Sequence, residues 1–116
     1  MQSPKAVVQA VQASLSDELR RKQYQGAKNP YTGHCYVASE AIFHLLGGKS
    51  AGYAPVFIRW EGEPHWFLRG PNGVIDATAS QFKSRPDYPT GVPKGFLTSA
   101  PSSRAAEVMR RAALSL

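Results

Sequence analysis

Apolar residues close to the N-terminus recur three and four residues apart, the spacing of one face of an α-helix. They are Val7, Val8, Val11, Leu15 and Leu19. Ser3 and Pro4 precede them, and a serine N-cap followed by proline in the first turn is typical of a helix start. The basic run 20–22 and Gly26 come next, so we expect the first helix to close there.

A broader apolar stripe predicts a second, central helix. Its members are Val37, Ala38, Ala41, Ile42, Leu45 and Leu46. We expect this helix to begin near His34 or Cys35, after the turn-rich stretch 29–33, and to end at Gly47 and Gly48. A stripe that covers so much of the helix surface indicates that the helix lies at the centre of the core.

Beyond the second helix the pattern indicates strands. Residues 56–60 and 65–69 are predicted strands joined by a turn at 61–64, and the hairpin turn 70–73 (Gly-Pro-Asn-Gly) leads into a returning strand at 74–76. Helices followed by a meander of strands predict an α+β fold with an antiparallel sheet.

The segment 77–101 contains four prolines and has no clear period. A structureless loop of this length is unusual in a compact domain. We therefore expect either that it wraps over the site formed by the strands or that residues 95–98 add a short edge strand. Residues 102–116 are a predicted terminal helix.

Composition fits a single globular domain, 1–116, with 42% hydrophobic and 19% charged residues. One cysteine excludes the disulfide-rich secreted class. No apolar run approaches the ~20 residues that span a bilayer, and residues 1–15 do not resemble a signal peptide. We therefore expect a cytoplasmic protein with no membrane partner.

The net charge of +6 is compatible with nucleic-acid binding, but the positive residues are scattered. Adjacent basic residues occur only at 20–22 and 110–111, in the predicted last turns of helices, where they would complement the helix dipole. Nucleic acid is therefore a weakly supported partner.

Cys35 stands at the predicted start of the central helix, after the polar residues 32–34. The positive end of a helix dipole and its unpaired N–H groups stabilise a thiolate, which is the nucleophilic form of cysteine. The same N–H groups can donate to an oxyanion. We interpret Cys35 as a nucleophile, with a buried core residue or a metal ligand as the alternatives.

A catalytic cysteine needs a base, and the base needs an orienting partner. His65 begins a predicted strand, and Asp76 ends the next one. If Gly70 pairs with Gly73, then Phe67 faces Asp76, and His65 is its diagonal neighbour on the same face, roughly 7–8 Å away between Cα atoms. Other registers increase this separation or put Asp76 on the opposite face.

Three motifs together resemble the papain-like and transglutaminase-like cysteine enzymes. They are Gly33-His34-Cys35-Tyr36, His65-Trp66-Phe67 and Ile75-Asp76-Ala77-Thr78, the last of which is followed by Gln81-Phe82. The order Cys, His, Asp is that of the superfamily, and the histidine strand is similar to its transglutaminase-like branch. The segment also resembles small phage-encoded proteins with a Gly-His-Cys-Tyr motif. The resemblance covers 29–82 and implies a papain-like core, with the nucleophile at the N-terminus of a central helix packed on a small antiparallel sheet.

The resemblance implies that Cys35 is the nucleophile, that His65 is the base and that Asp76 orients the imidazole. It also implies an amide donor to the oxyanion a few residues before the nucleophile, where Asn29 stands.

Three further residues near the triad are candidates for binding the oxyanion or the substrate: His34, Trp66 and Gln81. Each has a structural alternative, namely a capping or surface position for His34, a core position for Trp66 and a loop hydrogen bond for Gln81. Asp76 has one as well, as a turn residue that caps the segment at Thr78.

The sequence therefore predicts a cofactor-free cysteine hydrolase (a protease, deamidase or amidase) with a protein or peptide substrate. A different class is the alternative: a non-catalytic basic binding protein, such as a phage-type inhibitor of a host protein or a nucleic-acid binder, acting in the host cytoplasm. A zinc module built from His34, Cys35, His65 and Asp76 is a third hypothesis, but the sequence lacks the closely paired ligand spacing of strong zinc motifs.

Overall fold

The computed structural model describes residues 3–116, so the first two residues of the predicted domain 1–116 lie outside it. Its helices and strands are α1 (Pro4–Ser14), α2 (Cys35–Leu45), β1 (Ala54–Trp60), β2 (Glu63–Gly70), β3 (Gly73–Ile75), β4 (Val92–Pro93) and α3 (Ser103–Ala113). The strands form one antiparallel sheet in the order β3-β2-β1-β4. The predicted α+β class is confirmed. No helix within 3–116 has the length and apolarity needed to cross a membrane.

Helix α1 begins as predicted but ends earlier. The Ser3 hydroxyl accepts a hydrogen bond from the Ala6 N–H at 3.1 Å. The helix stops at Ser14, and two short 3₁₀ turns, Asp17–Leu19 and Lys22–Tyr24, follow it. The expected continuation to Gly26 is therefore wrong.

The side chain of Arg20 explains this early end. Its buried guanidinium donates to the carbonyl oxygens of Thr32 and Asn29 and to Asp17 Oδ1, at 2.6–2.7 Å. These tertiary bonds hold the segment beside the loop that precedes α2. Residues 20–22 are therefore not in a last helical turn, and the helix-dipole interpretation holds only for Arg110 and Arg111 in α3.

The sheet separates two apolar clusters. The three helices pack on the face that carries Leu68, and the buried members of that cluster include Val7, Val11, Ala41, Ile42 and Val108. A smaller cluster on the opposite face consists of Val56, Ile58, Phe67 and Tyr88. Helix α2 is central, as its broad apolar stripe predicts, because it packs against α1, α3 and β2.

The hairpin between β2 and β3 has the register that aligns His65 with Asp76. Gly70 pairs with Gly73, and Leu68 pairs with Ile75, so the next position, Asp76, follows on the side of Phe67. The preceding turn differs from the prediction. It contains only residues 61–62, both with positive φ, and β2 begins at residue 63 rather than 65.

The long segment after β3 both covers the site and adds an edge strand. That strand is β4, at 92–93 rather than the expected 95–98. The Arg69 guanidinium donates to the carbonyl oxygens of Tyr88 and Gly91 at 3.0 and 3.2 Å. A Cβ on Gly91 would lie 2.7 and 2.8 Å from side-chain atoms of Val56 and Phe67, so this loop packs tightly on the sheet.

Candidate active site

His65 and Asp76 form a buried pair at the end of the hairpin. His65 Nε2 lies 2.7 Å from Asp76 Oδ2, and the two side chains are 0% and 3% exposed. The strand register accounts for this contact, because both side chains project from the same face of the sheet. The predicted His–Asp contact is therefore present.

The Asp76 carboxylate has partners beyond His65. The Tyr88 hydroxyl donates to Oδ2 at 2.9 Å, and the Thr78 N–H donates to Oδ1 at 3.2 Å. Asp76 therefore has both predicted roles at once: Oδ1 caps the following turn, and Oδ2 pairs with His65. A carboxylate with this many donors is fixed in orientation.

Cys35 is the first residue of α2, and contacts with β2 position it. Its Sγ lies 3.9 Å from the Pro64 carbonyl oxygen, and the Ser39 hydroxyl, one turn later, donates to the Trp66 carbonyl oxygen at 3.1 Å. Both carbonyls belong to the part of β2 beyond the last residue paired with β3. The start of α2 therefore runs beside β2 at the level of His65.

The pKa of His65 reflects this environment. Burial lowers it, but the hydrogen bond with Asp76 and the contact with Cys35 raise it by more, and the pKa reaches about 9. Asp76 occupies Nε2, so Nδ1 is the ring nitrogen that does not face the carboxylate. At neutral pH the imidazolium form of His65 is therefore favoured.

Gln81 and Phe82, which follow Asp76 in the chain, complete the surroundings of the imidazole. Gln81 Nε2 lies 3.4 Å from His65 Nδ1 and donates to Thr78 Oγ1 at 3.1 Å. The Phe82 ring meets the imidazole edge to face, with centroids 4.8 Å apart. Gln81 therefore lies beside the imidazole, and it also makes the loop hydrogen bond that was predicted as the alternative to a role in binding.

The half-buried Cys35 opens into a cleft of about 410 Å³, hereafter the thiol cleft. Its aromatic walls are Tyr24, Tyr36, Trp66 and Phe82. Trp66 thus lines the cleft as expected, and it also packs edge to face on Tyr36, with centroids 5.0 Å apart. The walls offer the apolar surface typical of a ligand site.

Gly33 allows one of these walls, the Tyr24 ring, to approach Cys35. Its φ is +82°, and a Cβ at this position would lie 2.6 Å from the Tyr24 Cβ. A residue with a side chain would therefore be strained and would displace the ring. The glycine of the Gly-His-Cys-Tyr motif thus shapes the cleft.

Asn29 does not line the thiol cleft, contrary to its predicted oxyanion role. Its Nδ2 donates to the Ser80 carbonyl oxygen at 3.2 Å, and its Oδ1 accepts from the Tyr31 N–H at 2.9 Å, so the amide holds loops together. The amide side chain before Cys35 that does line the cleft is Gln23. Sequence reasoning missed Gln23 because it assigned this segment to the first helix.

His34 is also placed differently from its prediction. The side chain is fully buried and does not cap α2, and neither ring nitrogen has a partner among the described residues. Burial, together with the nearby Arg20 charge, lowers its pKa to about 4. His34 does not line the thiol cleft, so a substrate-binding role is not supported. Because it does not cap the helix, the first N–H groups of α2 have no side-chain acceptor within residues 3–116.

Within residues 3–116, no group of three His, Cys, Asp or Glu side chains could hold a metal ion, so the geometry does not favour the zinc hypothesis. Comparisons of the chain with protein-family models, curated proteins and solved structures gave no match.

Proposed function

We propose that the chain is a cysteine hydrolase that attacks a peptide or carboxamide bond with Cys35, using His65 as acid and base and Asp76 as the orienting carboxylate. The observation that carries the proposal is the buried His65–Asp76 pair at 2.7 Å, with the thiol of a helix N-terminus beside the imidazole. A nucleophile, a base and an orienter in contact are the minimum set for covalent acyl transfer.

The first half of the reaction forms a thioester. The Cys35 thiolate adds to the carbonyl carbon, and the resulting oxyanion accepts hydrogen bonds from N–H groups at the start of α2. The Nδ1 proton of His65 passes to the leaving nitrogen, the C–N bond breaks and the amine or ammonia departs. Asp76 keeps the ring oriented and stabilises its charged form.

The second half releases the acid. Neutral His65 takes a proton from water, and the hydroxyl adds to the thioester carbon. The C–S bond then breaks, so the thiolate and the imidazolium are restored. An amine in place of water would give transamidation through the same steps.

The first test is alkylation of the thiol across pH. An ordinary cysteine, with a pKa near 8.5, reacts slowly with iodoacetamide at about pH 6. We expect native Cys35 to react at about pH 6, with intact-mass spectrometry as the readout, and this reactivity to be lost in His65→Gln. His44→Gln is the matched control, because His44 lies in the same helix as the nucleophile but outside the thiol cleft.

The second test measures turnover. Peptide and carboxamide libraries are incubated with the wild type and with Cys35→Ala, and acids, amines and ammonia are measured. We expect products only with the wild type, while both proteins keep the same melting temperature within a few degrees. Alkylation only at alkaline pH, together with no Cys35-dependent product, would contradict the proposal.

A further inference from the structure

We propose that the substrate is a peptide with an acidic group, bound by Arg21 and Arg104 in a second cleft that continues the thiol cleft. This inference rests on the proposed function and names the substrate class for the same site. The acidic group is a carboxylate, from either a side chain or the C-terminus of the peptide.

The two clefts share a wall. The second, hereafter the basic cleft, has a volume of about 540 Å³ and lies between the start of α2, the segment 97–101 and the start of α3. Arg21, Gly33 and Tyr36 line both clefts. A ligand that extends from Cys35 past Tyr36 therefore enters the basic cleft, as an extended peptide can and a small amide cannot.

The charge of the basic cleft has one sign. Arg21 and Arg104 are the only charged residues that line it within the described chain. Neither guanidinium makes a hydrogen bond or an ion pair with any residue in 3–116. By contrast, Arg20 and Arg111 are both held by protein acceptors. Free guanidinium groups bind carboxylates through two parallel hydrogen bonds, so this pair suits an acidic ligand.

Arg104 has no evident role in stabilising its own helix. It lies in the first turn of α3, where the helix dipole favours negative rather than positive charge. The start of α3 is anchored instead by the buried Glu40 carboxylate, which accepts from the Ser102 N–H and hydroxyl at 2.8 and 2.7 Å. The positive charge of Arg104 is therefore left for a ligand in the cleft.

The acidic residues of the thiol cleft indicate where the carboxylate of the substrate does not bind. Glu61 and Glu63 line that cleft. Glu61 accepts hydrogen bonds from the Ser84 N–H and hydroxyl, whereas Glu63 is exposed and has no partner in the described part of the chain. A substrate carboxylate would be repelled near Glu63, so its favoured position is on the side of Arg21 and Arg104.

The experiment uses fluorescein-labelled octapeptides of alanine, serine and glycine with one Glu moved position by position, each paired with its Gln counterpart. A second set has no Glu and carries a free or an amidated C-terminus, which separates the two sources of carboxylate. Binding to Cys35→Ala is measured by fluorescence anisotropy, and kcat/KM is measured with the wild type. We expect at least one acidic peptide to bind about tenfold more tightly than its neutral partner, as hydrogen bonds to charged groups allow.

The variants Arg21→Gln and Arg104→Gln should each lose most of this preference for the acidic peptide over its neutral partner. The loss should raise KM for the acidic peptide and leave kcat unchanged. Arg59→Gln is the matched control, because Arg59 is exposed on β1 and lines neither cleft. The preference should also weaken as salt rises. Equal binding of every acidic and neutral pair, or an unchanged preference in both arginine variants, overturns the substrate assignment. Failure of the proposed function is recognised separately, by the absence of low-pH alkylation of Cys35.

Discussion

The buried imidazole of His34 leads to a prediction that does not depend on catalysis. In the folded protein its pKa is lowered to about 4, whereas the unfolded chain has the ordinary value of 6.5. Between these two pH values the unfolded state binds a proton that the folded state does not. Stability therefore falls as the pH drops from 6.5 to about 4, and this contribution becomes constant at lower pH.

The size of the effect follows from the two pKa values. Each pH unit between them is worth about 1.4 kcal/mol, so the change from 6.5 to about 4 corresponds to a loss of about 3 kcal/mol. The substitution His34→Leu removes the titrating group and fills a similar volume. It also removes two buried nitrogens that have no partner in the described structure, whose desolvation costs about 1–3 kcal/mol.

The assay is urea denaturation of the wild type and His34→Leu at intervals from pH 4 to pH 8. The carboxylates with lowered pKa, such as Glu18 and Glu107, titrate in both proteins, so they cancel in the difference. His65 has the opposite sign: its raised pKa gives stability that is complete below pH 6.5 and lost as the pH rises through about 9. We expect the free energies of the two proteins to diverge by about 3 kcal/mol as the pH falls. Parallel curves would refute the reasoning.

Three further predictions concern the contacts around the site. Asp76→Asn removes the carboxylate that raises the pKa of His65, so the alkaline limit of turnover, expected near pH 9 because the imidazolium must protonate the leaving nitrogen, should move to lower pH; an unchanged limit would exclude Asp76 as its cause. Tyr88→Phe removes the hydroxyl bonded to Asp76 Oδ2 and should lower the free energy of unfolding by about 1–3 kcal/mol in urea titrations, with no change meaning that the bond contributes little. Gly91→Ala should cost about 1–3 kcal/mol by thermal denaturation, because its Cβ would overlap side chains beneath the loop. Gly95→Ala is the control, with no atom within 4 Å of the added carbon and an expected change within about 0.5 kcal/mol; equal effects of the two substitutions would contradict the packing argument.

The parts of the fold that the sequence predicts well are those set by local signals. The Gly-Pro-Asn-Gly turn fixes the register of β2 and β3, and this register brings His65 and Asp76 together. The apolar stripe and the two glycines after it predict α2 and hence the place of Cys35. The α+β class follows from the order of these elements.

The parts that the sequence does not predict depend on tertiary contacts. Helix α1 ends early because the Arg20 side chain forms hydrogen bonds with a loop nine to twelve residues further along the chain. The spacing of apolar residues carries no information about such a contact. The Tyr88 hydroxyl reaches Asp76 from a proline-rich segment without a period. For the same reason Gln23 rather than Asn29 lines the cleft, since its position follows from the 3₁₀ turn and not from its distance to Cys35 in the chain.

The two hydrogen bonds that Arg69 donates to the loop over the sheet limit where residues can be inserted into this protein. Arg69 holds the Tyr88 and Gly91 carbonyl oxygens, and the Tyr88 hydroxyl holds the Asp76 carboxylate, so the backbone between 76 and 91 is tied at its start through Tyr88 and at its end through Arg69. An insertion within that stretch would move the carboxylate away from the imidazole. The chain from 95 to 99 is tied elsewhere, since the Leu97 N–H donates to the Tyr36 hydroxyl at 2.7 Å and Phe96 packs on Trp66, so an insertion there would shift the walls of the thiol cleft rather than the pair of His65 and Asp76.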